Sequence, residues 1–394
     1  MSETWALITG LVRDISALRE KVSQLCVYKS AGKLHGIVFS TWVNEIEKYE
    51  GLRAFLLISG VKIVESREPG ISVSAHLFHQ NKSLALGLDA IPKSAFVYKL
   101  RTDLSLVNDR IMRTISKQDN LEVTPLPGWP KLFSKRILVQ GGLLTQPLFL
   151  NDIAFAGVNE DIHHLAGHSF VFEAYGLFLN PEQMIFGTPF IGFLPMFFEW
   201  FRVNFGLIHG KREYAKEVLN FALEEQFYLD CLALYFLILS QYFRIGMHER
   251  DSKEQQIAAQ AITKLSYSQF FLSTDETCPP NFSFHEGSNS ISFGSDYWLD
   301  AVLNGKLVVD ELGKRFLESV ERVKDLSWQE RFSYSGLQLS KEAYSFGIRL
   351  KERFPQTNYR LTDIGPDKDG NWRIEGRPPS VRLTGDALKA LKDE

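Results

Sequence analysis

IVFSTWVNEIEKYEGLRAFLLISGVKIVES, residues 37–66, is the stretch that indicates the fold most directly. An apolar, β-branched run ends at Ser40-Thr41, a charged helical stretch follows, and a second strand-like run begins at Val61 after Gly60, a residue that favours the end of a helix. A strand, a helix and a strand at this spacing form a βαβ unit, whose strands are parallel and whose crossover is right-handed. This unit predicts an open α/β sheet, in which ligands bind beyond the carboxyl ends of the strands.

The rest of the chain extends this pattern and adds helices. Hydrophobic spacing predicts an amphipathic helix from Trp5 to Tyr28 and, C-terminal to Pro181, a mainly helical half. The other predicted elements are a helix over 75–88, a strand over 95–100, and strand-like runs over 136–139 and 148–155. The predicted division is an N-terminal helix (1–30), an α/β ligand-binding domain (31–200), a helical region that completes the site (201–360) and a surface arm or tail (361–394).

Composition and charge exclude several classes of protein. Of the 394 residues, 45% are hydrophobic and 23% charged, which is typical of a folded soluble protein, and a net charge of -3 argues against a nucleic-acid binder. Three widely spaced cysteines indicate a reducing compartment, and the N-terminus lacks an export signal, so a cytoplasmic location is expected. The apolar stretches Met184–Phe201 and Phe227–Phe243 are interrupted by proline or charge, which favours buried helices, with a membrane-surface element as the alternative.

No glycine-rich phosphate loop follows the first predicted strand, where residues 40–45 read STWVNE. This argues against P-loop kinases and dinucleotide-dependent dehydrogenases. Another way to hold a nucleoside diphosphate is a divalent cation bound by carboxylates at strand ends, and Asp103 follows the predicted strand 95–100. A turn or helix-capping role is the structural alternative for this aspartate.

Four blocks of sequence resemble, in order and spacing, the WavE family of lipopolysaccharide-synthesis proteins. The blocks are IVFSTW (37–42), VESREPG (64–70), YKLRTDL (98–104) and FLNDIAFAG (149–157), and the similarity covers roughly residues 35–240. That family resembles GT-A glycosyltransferases. The resemblance therefore implies a Rossmann-type half-sheet that binds a nucleotide sugar, with a helical C-terminal elaboration.

The resemblance also implies a site for a divalent metal, Mn²⁺ or Mg²⁺, at Asp103. This sequence departs from the usual Asp-x-Asp pair, because Arg101 stands where the first aspartate would be. The metal is then in question, since a guanidinium can itself neutralise a diphosphate. By analogy with GT-A enzymes, His285 is a second candidate metal ligand or phosphate contact.

Other polar residues at predicted strand or helix ends are candidates for the site. Asp152 lies among apolar neighbours and is the candidate general base for an acceptor hydroxyl, while Glu182 is a candidate acid on the acceptor side; structural capping is the alternative for both. The candidate nucleotide contacts are Ser40, Thr41, Trp42, Glu65, Ser66, Arg67 and Gln80. Lys99 is interpreted instead as a solvent-facing residue of an edge strand.

These observations predict a glycosyltransferase that moves a hexose from a nucleoside diphosphate sugar, with UDP-sugars favoured, to a bacterial surface polysaccharide such as lipopolysaccharide, O-antigen or capsule. The acceptor would be a glycan or a lipid-linked glycan, at the inner face of the inner membrane. A non-catalytic scaffold protein of a glycan-assembly complex is the alternative, and a peripheral membrane protein is a third.

Overall fold

The structure is a computed structural model, which describes the N-terminal half almost continuously and the C-terminal half in segments. It describes residues 3–69, 71–72, 76–103, 107, 109–117, 121–143, 147–166, 181–187, 189–190, 215–245, 264–272, 283–284, 291–293, 296–325, 345, 348–350, 352–354, 364–366, 372–374 and 382–383.

Strands and helices alternate in the first half of the chain, and helices account for most of the described residues of the second half. The strands are β1 (Thr4–Thr9), β2 (Gly36–Trp42), β3 (Val61–Ser66), β4 (Ile71–Ser72), β5 (Phe96–Arg101), β6 (Ile137–Val139), β7 (Gly142–Leu143), β8 (Ala154–Val158), β9 (Phe243–Arg244), β10 (Ser283–Phe284), β11 (Ile291–Phe293), β12 (Ile364–Pro366), β13 (Trp372–Ile374) and β14 (Arg382–Leu383). The helices are α1 (Ile15–Ser30), α2 (Leu52–Ile58), α3 (Leu77–Asp89), α4 (Asp109–Lys117), α5 (Asn159–Ala166), α6 (Pro181–Gly187), α7 (Ala215–Glu224), α8 (Gln226–Tyr242), α9 (Tyr267–Leu272), α10 (Asp296–Leu303) and α11 (Glu311–Asp325).

A seven-stranded, mostly parallel sheet organises the molecule in the order β3-β2-β1-β5-β8-β6-β9. Strands β3, β2, β1 and β5 are mutually parallel, and β8 pairs antiparallel with both β5 and β6. The chain moves outward from β1 to β3 and then returns to the other side of β1 to form β5. The α/β fold class predicted from the sequence is therefore confirmed, and the strand order reverses between β1 and β5.

Helices cover both faces of the sheet, which explains why the central strands are buried runs rather than alternating ones. Side chains of α1, α2 and α4 pack with Ile8 and Phe39 on one face. Those of α3, α5 and the helices from α6 onward pack with Leu7 and Val38 on the other. The candidate site lies at the edge of the sheet where the parallel strands end, between the helices of the two faces.

The predicted helix from Trp5 to Tyr28 is wrong over residues 5–14. Residues Thr4–Thr9 form β1, an inner strand of the sheet, and Ala6, Leu7 and Ile8 are each 0% exposed. Three consecutive buried residues fit a strand covered on both faces, and the four-residue spacing that suggested a helix is coincidental. The helix itself starts at Ile15, where the Asp14 carboxylate caps two backbone N–H groups.

The strand predicted over 148–155 is also corrected. Leu148 has a φ of +61° and the strand starts only at Ala154, so the polar pair Asn151-Asp152 lies in the loop that leads into β8. Elsewhere the boundaries agree: α2 ends just before Gly60, whose φ of +66° suits glycine, and the predicted strand over 95–100 is β5.

The apolar stretch Phe227–Phe243 forms most of α8, which is buried among the C-terminal helices as predicted. In the part of the chain that the structure describes, no helix combines the length and the apolar character needed to cross a membrane. The described part of Met184–Phe201 is also buried, at Met184, Ile185, Phe186 and Phe190. The predicted domain boundaries remain predictions.

Candidate functional site

A cavity of about 470 Å³ opens at the carboxyl edge of the sheet, at the point where the strand order reverses. Open parallel sheets bind ligands at this switch point, in the crevice beyond the carboxyl ends of the strands. The loop after β1 contributes Thr9, Gly10, Leu11 and Arg13, and the end of β5 contributes Lys99, Arg101, Thr102 and Asp103. The other walls come from Trp42, Glu68, His76, His79, Gln80, Ser83, Leu84, Phe149, Phe155, Glu182 and Ile185.

The loop that follows β1 is fixed by contacts with neighbouring strand ends. The Gly10 N–H donates to the Ser40 carbonyl at 3.2 Å, and its own carbonyl accepts from Thr41 Oγ1 at 2.9 Å. The Val12 N–H donates to the buried carboxylate of Glu45 at 2.8 Å. These bonds hold the loop against the cavity, so a ligand meets a preformed backbone wall there.

Gly10 has a φ of +114°, a conformation that residues with a side chain rarely adopt. We expect Gly10→Ala to lower the free energy of unfolding by about 1 to 3 kcal/mol through backbone strain, since the new Cβ would only touch Thr102 Oγ1 at 3.5 Å. Urea denaturation measures this. Gly32→Ala, at a φ of +69° with open space around it, should have a smaller effect; equal effects would contradict the strain argument.

Arg101 and Asp103 form a two-pronged ion pair at the end of β5. Arg101 Nε lies 3.0 Å from Asp103 Oδ1 and Nη2 lies 2.6 Å from Oδ2, and the exposed Arg13 is 3.6 Å from the same Oδ2. Burial alone would raise the pKa of Asp103, but the hydrogen bonds and charge of Arg101 outweigh it and lower that pKa. Asp103 is therefore ionised at neutral pH and orients the guanidinium.

The donor set at Asp103 fits a guanidinium better than a metal ion. Both carboxylate oxygens accept from Arg101, and among the described residues no three His, Cys, Asp or Glu side chains converge as a metal site requires. His285 lies outside the described residues, although β10, which ends at Phe284, pairs through β11 with β7 near the cavity. The proposed reaction therefore uses no metal ion, and the metal that the resemblance implies remains a prediction.

Asp152 lies behind Arg101 rather than on the cavity wall. Its carboxylate is 2% exposed and its Oδ2 lies 3.4 Å from Arg101 Nη1. Arg101 thus bridges two carboxylates, Asp103 at the cavity and Asp152 beneath it. In this position Asp152 orients Arg101. Its oxygens do not line the cavity, where an acceptor hydroxyl would bind.

Lys99 is buried next to this group, which corrects the solvent-facing, edge-strand interpretation. Strand β5 lies between β1 and β8, and Lys99 is only 4% exposed. Its Nζ donates to the Asp152 carbonyl and lies 5.0 Å from the centre of the Phe155 ring. Burial lowers the pKa of Lys99 to about 8, partly offset by the charge of Asp152, so the ammonium stays mostly protonated at neutral pH.

Glu182 is a carboxylic acid on the cavity wall that gains and loses its proton near neutral pH. Burial, followed by the nearby charge of Asp152, raises its pKa to about 7. A general base works best when its pKa is near the operating pH. Glu182 therefore has the position and the proton affinity of a general base, and sequence analysis had assigned it only an acceptor-side acid.

The far end of the cavity is aromatic and weakly basic. Trp42, at the end of β2, packs edge-on against His79 of α3 at 5.6 Å between ring centres, and Gln80 lies beside them on the wall. His79 Nε2 lies 3.2 Å from a Glu68 oxygen. Burial lowers the pKa of His79 more than Glu68 raises it, so the ring is neutral at pH 7 and donates to that carboxylate.

The structure brings together only part of the predicted site. Trp42, Gln80, Arg101, Asp103 and Glu182 line the cavity. Ser40 and Thr41 are buried in the sheet, and Glu65 is engaged by Arg53 Nη2 at 2.8 Å, away from the cavity. Ser66 and Arg67 do not line the cavity either, although Glu68, the next residue along the chain, does.

The sequence analysis missed the loop after β1, Lys99 of β5, and the wall residues Glu68, His76 and His79. It assigns Gly10 and Arg13 to a helix and Lys99 to an exposed edge strand. One signal in the sequence indicates strand β1. The apolar run Ala6–Ile8 is typical of a strand, Gly10 breaks it after Thr9, and Asp14 is typical of a helix cap. No sequence signal distinguished the burial of Lys99.

Comparison with known proteins found no matching family model and no significant match to a curated protein.

Proposed function

We propose that this protein is a glycosyltransferase that uses a nucleoside diphosphate sugar, with the diphosphate held at the end of β5. The observation that supports it most is the position of Arg101, which is 28% exposed on the cavity wall at the switch point of a parallel sheet. A guanidinium fixed by two carboxylates is preorganised, so little freedom is lost when its outward edge meets an anion.

The charge at the β5 end of the cavity supports an anionic ligand there. Among the described residues, Arg13, Lys99 and Arg101 lie at this end with Asp103 and Asp152, whereas Glu68 pairs with His79 at the Trp42 end. The β5 end therefore has one more positive than negative group while Glu182 is protonated, and Glu182 balances that charge when it ionises. A diphosphate carries the complementary charge, and its oxygens can accept from the guanidinium N–H groups that Asp103 and Asp152 leave unused.

The proposed reaction is a direct displacement at the anomeric carbon of the donor. Glu182 takes the proton of the acceptor hydroxyl, and the hydroxyl oxygen forms a bond to the anomeric carbon. The bond from that carbon to the diphosphate oxygen breaks, and its electron pair stays on the diphosphate. Arg101, supported by Lys99, stabilises the charge that develops there.

The sheet also supports the finer assignment of fold. The order β3-β2-β1-β5 is the half-sheet order of Rossmann-type proteins, and it is the half-sheet that the GT-A-like resemblance implies. On that resemblance the donor is a UDP-sugar and the acceptor a bacterial surface glycan, such as lipopolysaccharide. The reaction would then take place in the cytoplasm, next to the inner membrane when the acceptor is lipid-linked.

A thermal-shift panel tests the proposal. UDP, GDP, CDP and ADP are each added in EDTA and in Mn²⁺, with the matching nucleosides as controls that lack the diphosphate. At least one diphosphate should raise the melting temperature, since a ligand at 100 times its Kd stabilises by about 2.7 kcal/mol. Binding should persist in EDTA, because Arg101 supplies the positive charge.

Two other outcomes decide between the remaining alternatives. A shift that appears only with Mn²⁺ would favour the metal site at Asp103 over the guanidinium. No shift with any diphosphate, together with no release of nucleotide from a panel of nucleotide sugars, would contradict the enzyme and favour the scaffold alternative.

A further inference from the structure

Lys21 is a buried lysine on α1 that does not line the cavity. It is 0% exposed, and its Nζ donates to the carbonyl of Arg101. Its neighbours on the same face are apolar side chains such as Leu18 and Val22. An ammonium in such surroundings loses most of its hydration, and a single carbonyl does not replace it.

The charged groups that act on Lys21 are those of the site. Asp103 attracts its ammonium, while Lys99 and Arg101 repel it, and burial lowers its pKa to about 8. Lys21 is therefore mostly protonated at neutral pH and adds a positive charge beneath the strand end that carries Arg101. An apolar residue of similar length would fill the same space without the desolvation penalty, so packing alone does not explain a lysine here.

We infer that Lys21 is a positioning residue, which holds the Arg101 end of β5 from beneath and adds its charge to the field that attracts the diphosphate. The inference rests on the proposed function. It assigns Lys21 no contact with the ligand, because the side chain is fully covered and acts through Arg101 and through space.

The test compares Lys21→Met, Lys21→Arg and Lys29→Met with the wild type. Lys29 lies at the other end of α1, with its Nζ 3.2 Å from the Gly60 carbonyl, so Lys29→Met removes the same charge from the same helix. Pyrophosphate is the probe, titrated by calorimetry at pH 7 in EDTA. The urea midpoint of each variant is measured in parallel.

Lys21→Met should raise the Kd for pyrophosphate about tenfold, the size expected for one unit charge acting on another from roughly 12 Å away at an effective dielectric constant of about 20. Its urea midpoint should stay the same or rise, because a desolvated charge has been removed. Lys21→Arg should keep the Kd within about threefold of the wild type, and Lys29→Met should leave it unchanged. A purely structural lysine would lower the midpoint when it is replaced by methionine.

An unchanged Kd in Lys21→Met would overturn the inference, and so would a variant that is less stable than the wild type or fails to fold. A Kd raised as much in Lys21→Arg as in Lys21→Met would also overturn it, because the charge would then be irrelevant. If the wild type itself does not bind pyrophosphate, the proposed function fails as well. Binding by the wild type with no effect of Lys21→Met removes only this inference.

Discussion

Replacing Arg101 with glutamine is expected to lower kcat/KM for the nucleotide sugar by about 100-fold or more. Glutamine keeps a hydrogen-bond donor but removes the charge that balances the leaving diphosphate, and losses of this size follow removal of one such preorganised group. Asp103→Asn, which frees one prong of Arg101 but leaves the guanidinium paired with Asp152, should have a smaller effect. Initial rates of nucleotide release over a range of donor concentrations measure both.

Arg53→Gln is the matched control, because Arg53 pairs with Glu47 and Glu65 outside the cavity and its loss removes the same charge. Its kcat/KM should equal that of the wild type. Arg101→Gln also leaves the buried Asp152 without its ion-pair partner, a loss of about 3 to 5 kcal/mol in comparable cases. Assays therefore belong below the melting temperature of the variant. If Asp103→Asn abolishes turnover while Arg101→Gln retains it, the guanidinium is not the group that balances the diphosphate.

Replacing Glu182 with glutamine is expected to lower kcat by about 100-fold to 10,000-fold, the range attributed to general acid-base catalysis. The wild-type rate should rise with pH through about 7, where Glu182 loses its proton, and this part of the profile should vanish in Glu182→Gln. Glu160→Gln, on an exposed position of α5, is the control. A variant that keeps the wild-type pH profile would show that another group takes the proton.

The same substitution has a consequence for stability. The folded-state pKa of Glu182 is raised to about 7, above its ordinary value, so between pH 4.5 and 7 the folded protein binds the proton more tightly than the unfolded chain. Its contribution to stability therefore falls as pH rises through this window. Glu182→Gln should be more stable than the wild type at pH 8, by about 3 kcal/mol, and similar at pH 4.5. Urea denaturation at both pH values measures the difference.

Strands β2, β3 and β5 were predictable from the sequence, and β1, which lies between β2 and β5, was not. Strands β2 and β3 and the helix between them follow from short apolar runs separated by a charged segment and Gly60. Strand β1 was missed because Leu7 and Leu11 continue the spacing of the genuine helix that begins at Ile15. Local periodicity cannot separate a short buried strand from a helical turn when an amphipathic helix follows it.

The sequence predicts those site residues that lie at the ends of strands. It does not predict which strand ends lie next to the cavity, because that depends on how the strands pair. The ends of β5 and β2 identified Asp103, Arg101 and Trp42, because parallel strands end at a common edge. The end of β3 gave Glu65, Ser66 and Arg67, none of which lines the cavity, whereas Glu68 just beyond them does. The order of the strands, together with the partners of Glu65 and Asp152, depends on contacts between distant segments that spacing along the chain does not encode.

The proposed function requires that a diphosphate binds at the end of β5 against Arg101. Crystals of the protein soaked with the nucleoside diphosphate that gives the largest thermal shift test it most directly. The account predicts density for the two phosphates within hydrogen-bonding distance of the Arg101 guanidinium, with the base toward Trp42. Density at any other place on the protein, with the cavity between β1 and β5 left empty, would contradict it.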